Sequence, residues 1–238
     1  MNRRKRLIAT LTILPTLIAG SFLLAVPNAQ AAARHITLTA QGSVTITPDA
    51  VRIYSTVSLI ASSSQIALQD VNVKIKAVRD AFLANAIEQK DIKTQNVTVY
   101  PEYNYTSDRG STLIGYRATQ SFDVVVKNAA NAGVVVDAIV AAGGDSLQIN
   151  SVTPFLLNDT EATQGARESA VKNARQKARS YAKLLGVKLG KVVFLNEGSS
   201  PSFSGPIFAM EKSSDGSTEI ELGQQELTLS ITVKWAIK

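Results

Sequence analysis

The chain has 238 residues, a formal net charge of +6, 45% hydrophobic residues, no cysteine and one histidine. Absence of cysteine excludes a disulfide framework and thiol chemistry, and His35 alone leaves almost no room for His-based zinc sites or Ser-His-Asp triads. The fold must therefore be held by a packed core, and a chain of this length can build one.

The first elements are not part of that core. Arg3, Arg4, Lys5 and Arg6 form a basic start, an apolar run follows from Leu7 to Val26, and Ala29-Gln30-Ala31 is a small-residue cleavage pattern. Residues 1–31 thus read as a secretory signal peptide and 32–238 as one exported domain. The other reading is an uncleaved anchor, because the run is long enough to cross a bilayer. Pro15, Gly20 and the Ala-x-Ala favour cleavage, so a membrane is expected as a partner only if cleavage fails. Removing the four positive residues of the leader from the +6 total leaves the remainder near +2. The apparent basicity, and with it the case for nucleic acid, mostly disappears.

His35 to Ala40 and Val44 to Thr47 alternate as strands, with Gln41-Gly42-Ser43 expected as a break. Pro48-Asp49 marks a turn. Val51 to Ile60 alternates again, with Val51, Ile53, Ser55, Val57 and Leu59 on one face. Ser62-Ser63-Ser64 is a linker or cap before a helix over Gln65 to Glu88, whose apolar face is expected to carry Ile66, Val73, Ile75, Val78, Phe82, Leu83 and Ile87. Asn96 to Tyr105 and Leu113 to Lys127 are two strands joined by a hairpin loop at 107–111. A helix over Ala129 to Ala142, with Val134, Val135, Ala138 and Ile139 inward, ends at Gly143-Gly144-Asp145. Leu147 to Phe155 is a strand.

Asn158 to Val187 is the clearest helix. Asn158 with Glu161 resembles a capping box, and Gly186 suits the left-handed position at its end. Val192 to Leu195 is a short strand. Ser, Gly and Pro then dominate, and 198–224 reads as a surface loop or insertion. Glu226 to Trp235 alternates cleanly, with Leu227, Leu229, Ile231, Val233 and Trp235 sharing a face. Helices and hairpins both join the strands. The class is α+β, a mixed and mostly antiparallel sheet packed by two or three helices.

Within the long helix, Ala166, Ala170, Ala174, Ala178 and Ala182 recur at a spacing of four. That line drifts by about 40° per step and lets a neighbour approach closely. It serves packing within the chain, an intersubunit seam, or helix propensity alone. The basic residues of the same helix point in several directions, as a solvated face does. Tyr100, Tyr103, Tyr105 and Tyr116 cluster on one hairpin, where they either pair across strands or form a sugar-binding or subunit surface. Asp215, Glu219, Glu221 and Glu226 lack calcium-loop spacing, and Gly143-Gly144 lacks any phosphate-loop pattern. No catalytic residue, cofactor or metal is expected.

Several pieces in order carry a resemblance: Gly42-x5-Pro48-Asp49-Ala50, Asp91-Ile92-Lys93-Thr94, Tyr100-Pro101-x-Tyr103, Gly115-Tyr116-Arg117-Ala118, the alanine helix, Gly186-x3-Gly190 and the terminal strand. Over about residues 34–238 the chain resembles the SIMPL-domain family of exported bacterial proteins, which includes periplasmic immunogenic and oxidative-stress-defence members. It departs from the family where a Pro-Gly often precedes the last strand, since Leu222-Gly223-Gln224 stands there. The resemblance implies a periplasmic, cell-envelope or extracellular address and a tendency to form large ring- or channel-like assemblies. It also implies an association with stress tolerance, and it implies no catalytic residues. The expected function is a non-enzymatic envelope scaffold whose partner is a second copy. The alternative is a binding module for a small molecule or cell-wall glycan, with 198–224 as a lid.

Overall fold

The computed structural model describes residues 34–108, 110–198, 201–204 and 218–238. The leader and much of the 198–224 loop lie outside them. Among the described residues, eight strands and three α-helices follow in the order β1 (His35–Ile46), β2 (Ala50–Ala61), α1 (Ser64–Ala84), β3 (Ile92–Thr106), β4 (Gly110–Val126), α2 (Ala132–Gly143), β5 (Leu147–Phe155), α3 (Thr160–Leu184), β6 (Leu189–Glu197), β7 (Ser202–Ser204) and β8 (Gln225–Ile237). The class is α+β. The strands divide into two sheets, ordered β1-β8-β6 with β7 also on β8, and β3-β4-β2-β5. Every pairing is antiparallel. One continuous sheet was expected; the split follows from β1 pairing with the far C-terminal β8 and not with its sequence neighbour β2.

Each sheet covers one face with its own helices, so there are two cores. α1 and α2 close over the β3-β4-β2-β5 sheet, with Val51, Ile53, Val57, Phe82, Phe122, Val124 and Ile139 fully or almost fully buried. The rings of Phe82 and Phe122 meet edge to face at 6.4 Å. α3 closes over β1 and β8. There the strand supplies Leu227, Leu229, Ile231, Val233 and Trp235, and the helix supplies alanine.

The break expected at Gln41-Gly42-Ser43 is absent, and β1 runs through it. Gly42 is there for another reason. A Cβ on it would lie 2.0 Å from the backbone nitrogen of Ala170 and 2.3 Å from the carbonyl of Ala166. Helix and strand backbones touch at this point, and only glycine opposite alanine permits it.

The expected inward faces of α1 and α2 need correction. The buried residues of α1 are Ala67, Val71, Val78 and Phe82, while Ile66, Val73 and Leu83 are exposed. In α2, Val135, Val136 and Ile139 are buried and Val134 is exposed. Both helices carry more apolar residues than one face can hold, and the 3.6 period selects among them.

The helix ends obey local chemistry. The Ser63 hydroxyl accepts from the Ile66 N–H at 3.3 Å and caps α1. The Asn158 side chain accepts from the Thr160 N–H at 3.0 Å before α3. Both helices close with the same 6→1 bond, Ile87 N–H to Phe82 at 3.2 Å and Val187 N–H to Ala182 at 3.0 Å. Where the family pattern has Pro-Gly, Gly223 keeps a positive φ of 59° just before β8, so the glycine of that pair is the part the turn requires.

Candidate functional site

The hairpin of β3 and β4 outgrows its sheet. β2 pairs with β4 only as far as Ala61 opposite Tyr116, whereas β3 and β4 continue together to Thr106 opposite Gly110. The outer part is therefore a two-stranded arm with no third strand beside it among the described residues. Glu102 and Arg117 clamp its base. The Arg117 Nε and Nη2 donate to the two carboxylate oxygens of Glu102, the second bond at 2.7 Å, and Nη1 donates to Ser58 on β2 at 3.0 Å. Hydrogen bonding from Arg117 holds the Glu102 carboxyl below its ordinary value, and the same pairing raises the guanidinium.

The four tyrosines are not equivalent. Tyr116 packs on the core of its sheet. Tyr100, Tyr103 and Tyr105 are exposed, Tyr105 to 79%. Tyr103 stands directly opposite Leu113, and Tyr105 follows on the same face by the two-residue period of a strand. Leu113 and Ile114 are exposed as well. The arm thus presents an aromatic and aliphatic surface that no part of the described chain covers.

The alanine line lies elsewhere. Ala166, Ala170, Ala174, Ala178 and Ala182 are all buried, the first four in the core beneath α3. A line that drifts around the helix stays covered because two strands, β1 and β8, lie under it. Its close approach is used within the chain. α3 also reaches past the sheet: Asn173 Nδ2 donates to the carbonyl of Gln41 at 2.9 Å, and Lys177 Nζ to that of Thr39 at 3.3 Å. The basic side chains Lys172, Arg175, Arg179 and Lys183 point to solvent.

The short strand expected at Val192 to Leu195 presents an apolar and open surface. Val192, Val193, Phe194 and Leu195 on β6 are between 51% and 58% exposed. Hydrophobicity alone did not mark it, since such a run reads as a buried strand; the signal was the adjacent Lys191 and Glu197, which bracket it with charge.

Polar clusters in the described residues are structural ties. Lys127 bridges Asp91 at 2.6 Å and Glu88 at 3.0 Å, which raises the ammonium, and the Glu88 carboxyl is lowered first by Lys90 and then by Lys127. Asp137 accepts from the Thr218 hydroxyl at 2.6 Å and its N–H at 3.2 Å, which lowers its carboxyl and fastens the segment before β8 onto α2. Arg52 stacks over Phe155 at 4.9 Å and lies 3.5 Å from the buried Asp123. Among the described residues no group of three His, Asp or Glu side chains is placed to hold a metal ion. Glu219, Glu221 and Glu226 are exposed, and Asp215 lies outside the described residues. A recess of about 370 Å³ opens between the end of β5 and β7, lined by Pro154, Phe155, Leu156, Phe203 and Gln225 among others.

The sequence model of the SIMPL family, Protein of unknown function (DUF541), matches residues 36–235. The chain is similar to the 26 kDa periplasmic immunogenic protein of Brucella melitensis, 30% identical over 218 residues, covering 86% of this chain and 85% of that one. It is also similar to the YggE proteins of Edwardsiella ictaluri, 28% identical over 161 residues, and of Escherichia coli K12, 27% identical over 158 residues. These matches cover 66% of this chain in both cases, and 65% and 63% of the relatives.

Proposed function

Because the chain belongs to the SIMPL family, we propose that it is an exported cell-envelope protein that associates with copies of itself into a scaffold or channel-like body and carries no catalysis of its own. The basic-apolar leader with its Ala-x-Ala supports export, as does the periplasmic description of the Brucella relative. The observation that carries self-association is the β3–β4 arm. An isolated two-stranded hairpin is marginal in water. This one is clamped at its base and exposes Tyr103, Tyr105 and Leu113 on one side. Aromatic residues on a projecting element are the composition of a subunit interface core.

Light scattering of the purified exported protein tests this reading, followed by electron microscopy of any large species. A multimer of defined mass is expected, and the double variant Tyr103→Ser, Tyr105→Ser should reduce that mass. A monomer across a wide concentration range sinks the reading. A link to stress tolerance follows from the family resemblance. With no cysteine and Met210 as the methionine beyond the initiator, it would be an effect on envelope integrity and not scavenging.

A second reading, a binding module for a small molecule or glycan, draws on the recess between β5 and β7. Its size and the rings of Phe155 and Phe203 suit a small ligand. Ligand-dependent melting separates the two readings: a raised Tm with a glycan fragment and no change in mass favours binding.

A further inference from the structure

We propose that the end of the β1-β8-β6 sheet at which α3 stops is a docking surface for an anionic lipid bilayer. Tyr181, Leu184 and Leu185 enter the interface there, and Arg34, Lys183 and Lys188 meet the lipid phosphates. This surface is separate from the arm and needs no self-association. Of the function proposed above it takes export alone.

Charge is sorted along this sheet. Residues 34–46, 169–196 and 227–238 hold no Asp or Glu, but one, seven and two Lys or Arg in that order. Beyond the leader the whole chain stands near +2, so the remainder of the domain is net acidic. The acids that flank these segments lie away from the end of α3. Glu226 stands opposite Thr45 at the far end of the sheet, and Glu197 stands opposite Ile231 midway along it.

The topology gathers four pieces of chain at the cationic end. β1 starts there, with His35 opposite Ala236, and β6 starts there, with Leu189 opposite Ile237. Lys188 and Lys238 exchange both backbone bonds, at 2.9 and 3.0 Å, and the Ile237 N–H donates to the Arg34 carbonyl at 3.1 Å. α3 closes beside them through the Val187 N–H on Ala182, and Gly186 turns the chain into β6. Backbone bonds therefore hold this end in shape.

Its apolar side chains have no cover. The buried alanine seam ends at Ala182, whereas Tyr181 is 48%, Leu184 78% and Leu185 64% exposed. Arg34, Lys183 and Lys188 are exposed around them. None of the three is paired with a carboxylate among the described residues. Leucine and tyrosine ringed by cations are the makings of an interfacial anchor. The leucines sink to the acyl boundary, the tyrosine stays at headgroup level, and the long cationic stems reach phosphate.

Other occupants fit worse. Nucleic acid would use the cations but offers the two leucines no apolar surface. A second copy docked by the same end would set cations against cations. A bilayer uses both features. The apolar run from Leu7 to Val26 also ends shortly before Arg34, so this is the end that a leader held in a bilayer brings to the membrane. Among the described residues no helix is long and apolar enough to cross a membrane, and the proposed contact is with its surface.

Flotation of the exported protein with vesicles tests this. An equimolar mixture of phosphatidylcholine and phosphatidylglycerol should bind it roughly tenfold or more tightly than phosphatidylcholine alone, and salt should shrink the difference. Lys183→Gln with Lys188→Gln should weaken binding to the mixed vesicles by roughly 25-fold, since each cation near an anionic surface contributes about fivefold. Leu184→Ser with Leu185→Ser should weaken it by roughly tenfold. All four positions are exposed, and an unchanged far-ultraviolet circular dichroism shows that the fold is kept. Equal binding to both compositions overturns the proposal, as does a leucine variant that binds the mixed vesicles like the natural protein. A short DNA duplex bound more tightly than the vesicles, lost with the lysines and kept without the leucines, would assign this end to nucleic acid instead. Because the chain lacks cysteine, Leu184→Cys can carry an environment-sensitive dye at a single place. Its emission should shift to the blue with the mixed vesicles, and that of Val73→Cys, exposed on α1, should not. No shift at Leu184, or an equal shift at both, sinks the idea. Light scattering keeps the two proposals apart. A monomer that binds the mixed vesicles leaves this surface standing and the assembly fallen, and a multimer indifferent to both compositions gives the reverse.

Discussion

The two cores of this domain solve one packing problem in opposite ways. Under α1 and α2, helix and sheet both contribute volume: Phe82 meets Phe122, and Val71 and Val78 of the helix share one buried cluster with Ile53 and Val57 of the sheet. Under α3 the strand contributes nearly all of it, and the helix comes so close that alanine and one glycine are the side chains that fit. The first core should therefore fail when something is removed and the second when something is added. Phe82→Ala removes a fully buried ring and should cost about 3–5 kcal/mol, read as a fall in the chemical denaturation midpoint at unchanged slope. A cost below that of an exposed Leu83→Ala would mean that the ring is not what joins α1 to its sheet.

Gly42→Ala probes the other core and should cost about 1–3 kcal/mol, because the new Cβ meets backbone and has no flexible side chain to displace. The same change at an ordinary strand glycine is close to neutral or stabilising. Trp235 makes the comparison sharper. It is the one tryptophan of the chain and is buried under α3, so fluorescence reports the second core while circular dichroism reports both. In Gly42→Ala the fluorescence transition should come at lower temperature than the circular dichroism transition. Coincident transitions would show that the two cores unfold as one unit. The two cores are joined by the buried bond from Gln225 Nε2 to the Pro154 carbonyl at 3.0 Å and by Asp137 of α2 holding Thr218, just before β8, so separate transitions would show that these bonds yield before the first core does.

This contrast also explains what could be read from the sequence. The alternation in β2 and β8 marked the buried faces of both sheets, because burial on one side imposes a period of two. The alanine spacing marked a close approach but could not say to what. That is a long-range fact: the neighbour, Gly42, lies far away in sequence and looked like a strand break. The arm was legible as a hairpin with tyrosines, but not as a projection, since its length relative to β2 depends on where β2 stops pairing. The open β6 edge was hidden because a short apolar strand has the same composition whether it is central or at an edge. Exposure of Val73 and Val134 was missed for the opposite reason: helices richer in apolar residues than their inner face requires do not declare which ones turn outward.

The helix ends offer a finer comparison. α1 and α3 close with the same bonding pattern, but the residue in the left-handed position is Ala86 at φ 61° in one and Gly186 at φ 65° in the other. An L-residue is strained there. Ala86→Gly should therefore stabilise by about 0.5–1 kcal/mol, after the greater freedom of glycine in the unfolded chain is subtracted. Gly186→Ala should destabilise by about the same amount. Equal and opposite shifts in midpoint confirm that the two ends are the same motif with one suboptimal residue. No gain from Ala86→Gly would mean that the Ala86 methyl makes a contact that offsets its strain.

The smallest effect concerns the arm, which belongs to neither core. Its base is held by Glu102 and Arg117, and the carboxyl of Glu102 is depressed first by hydrogen bonding to that guanidinium. The sign follows from linkage. A carboxyl whose folded value lies below its ordinary 4.5 stabilises fully above that pH. That stabilisation is lost as the pH falls from there towards the lowered value. Amide exchange in residues 102–106 and 110–115, taken as the ratio between Glu102→Gln and the natural protein, removes the intrinsic pH dependence of exchange. The ratio should exceed unity near neutral pH, hold steady down to the ordinary carboxyl value, and decline towards unity below it. Because the pair is partly exposed, added salt should reduce the ratio as well. A ratio of unity at neutral pH would show that the arm keeps its shape without the clamp. The tyrosine surface would then be held in place by the strand pairing of β3 and β4 alone.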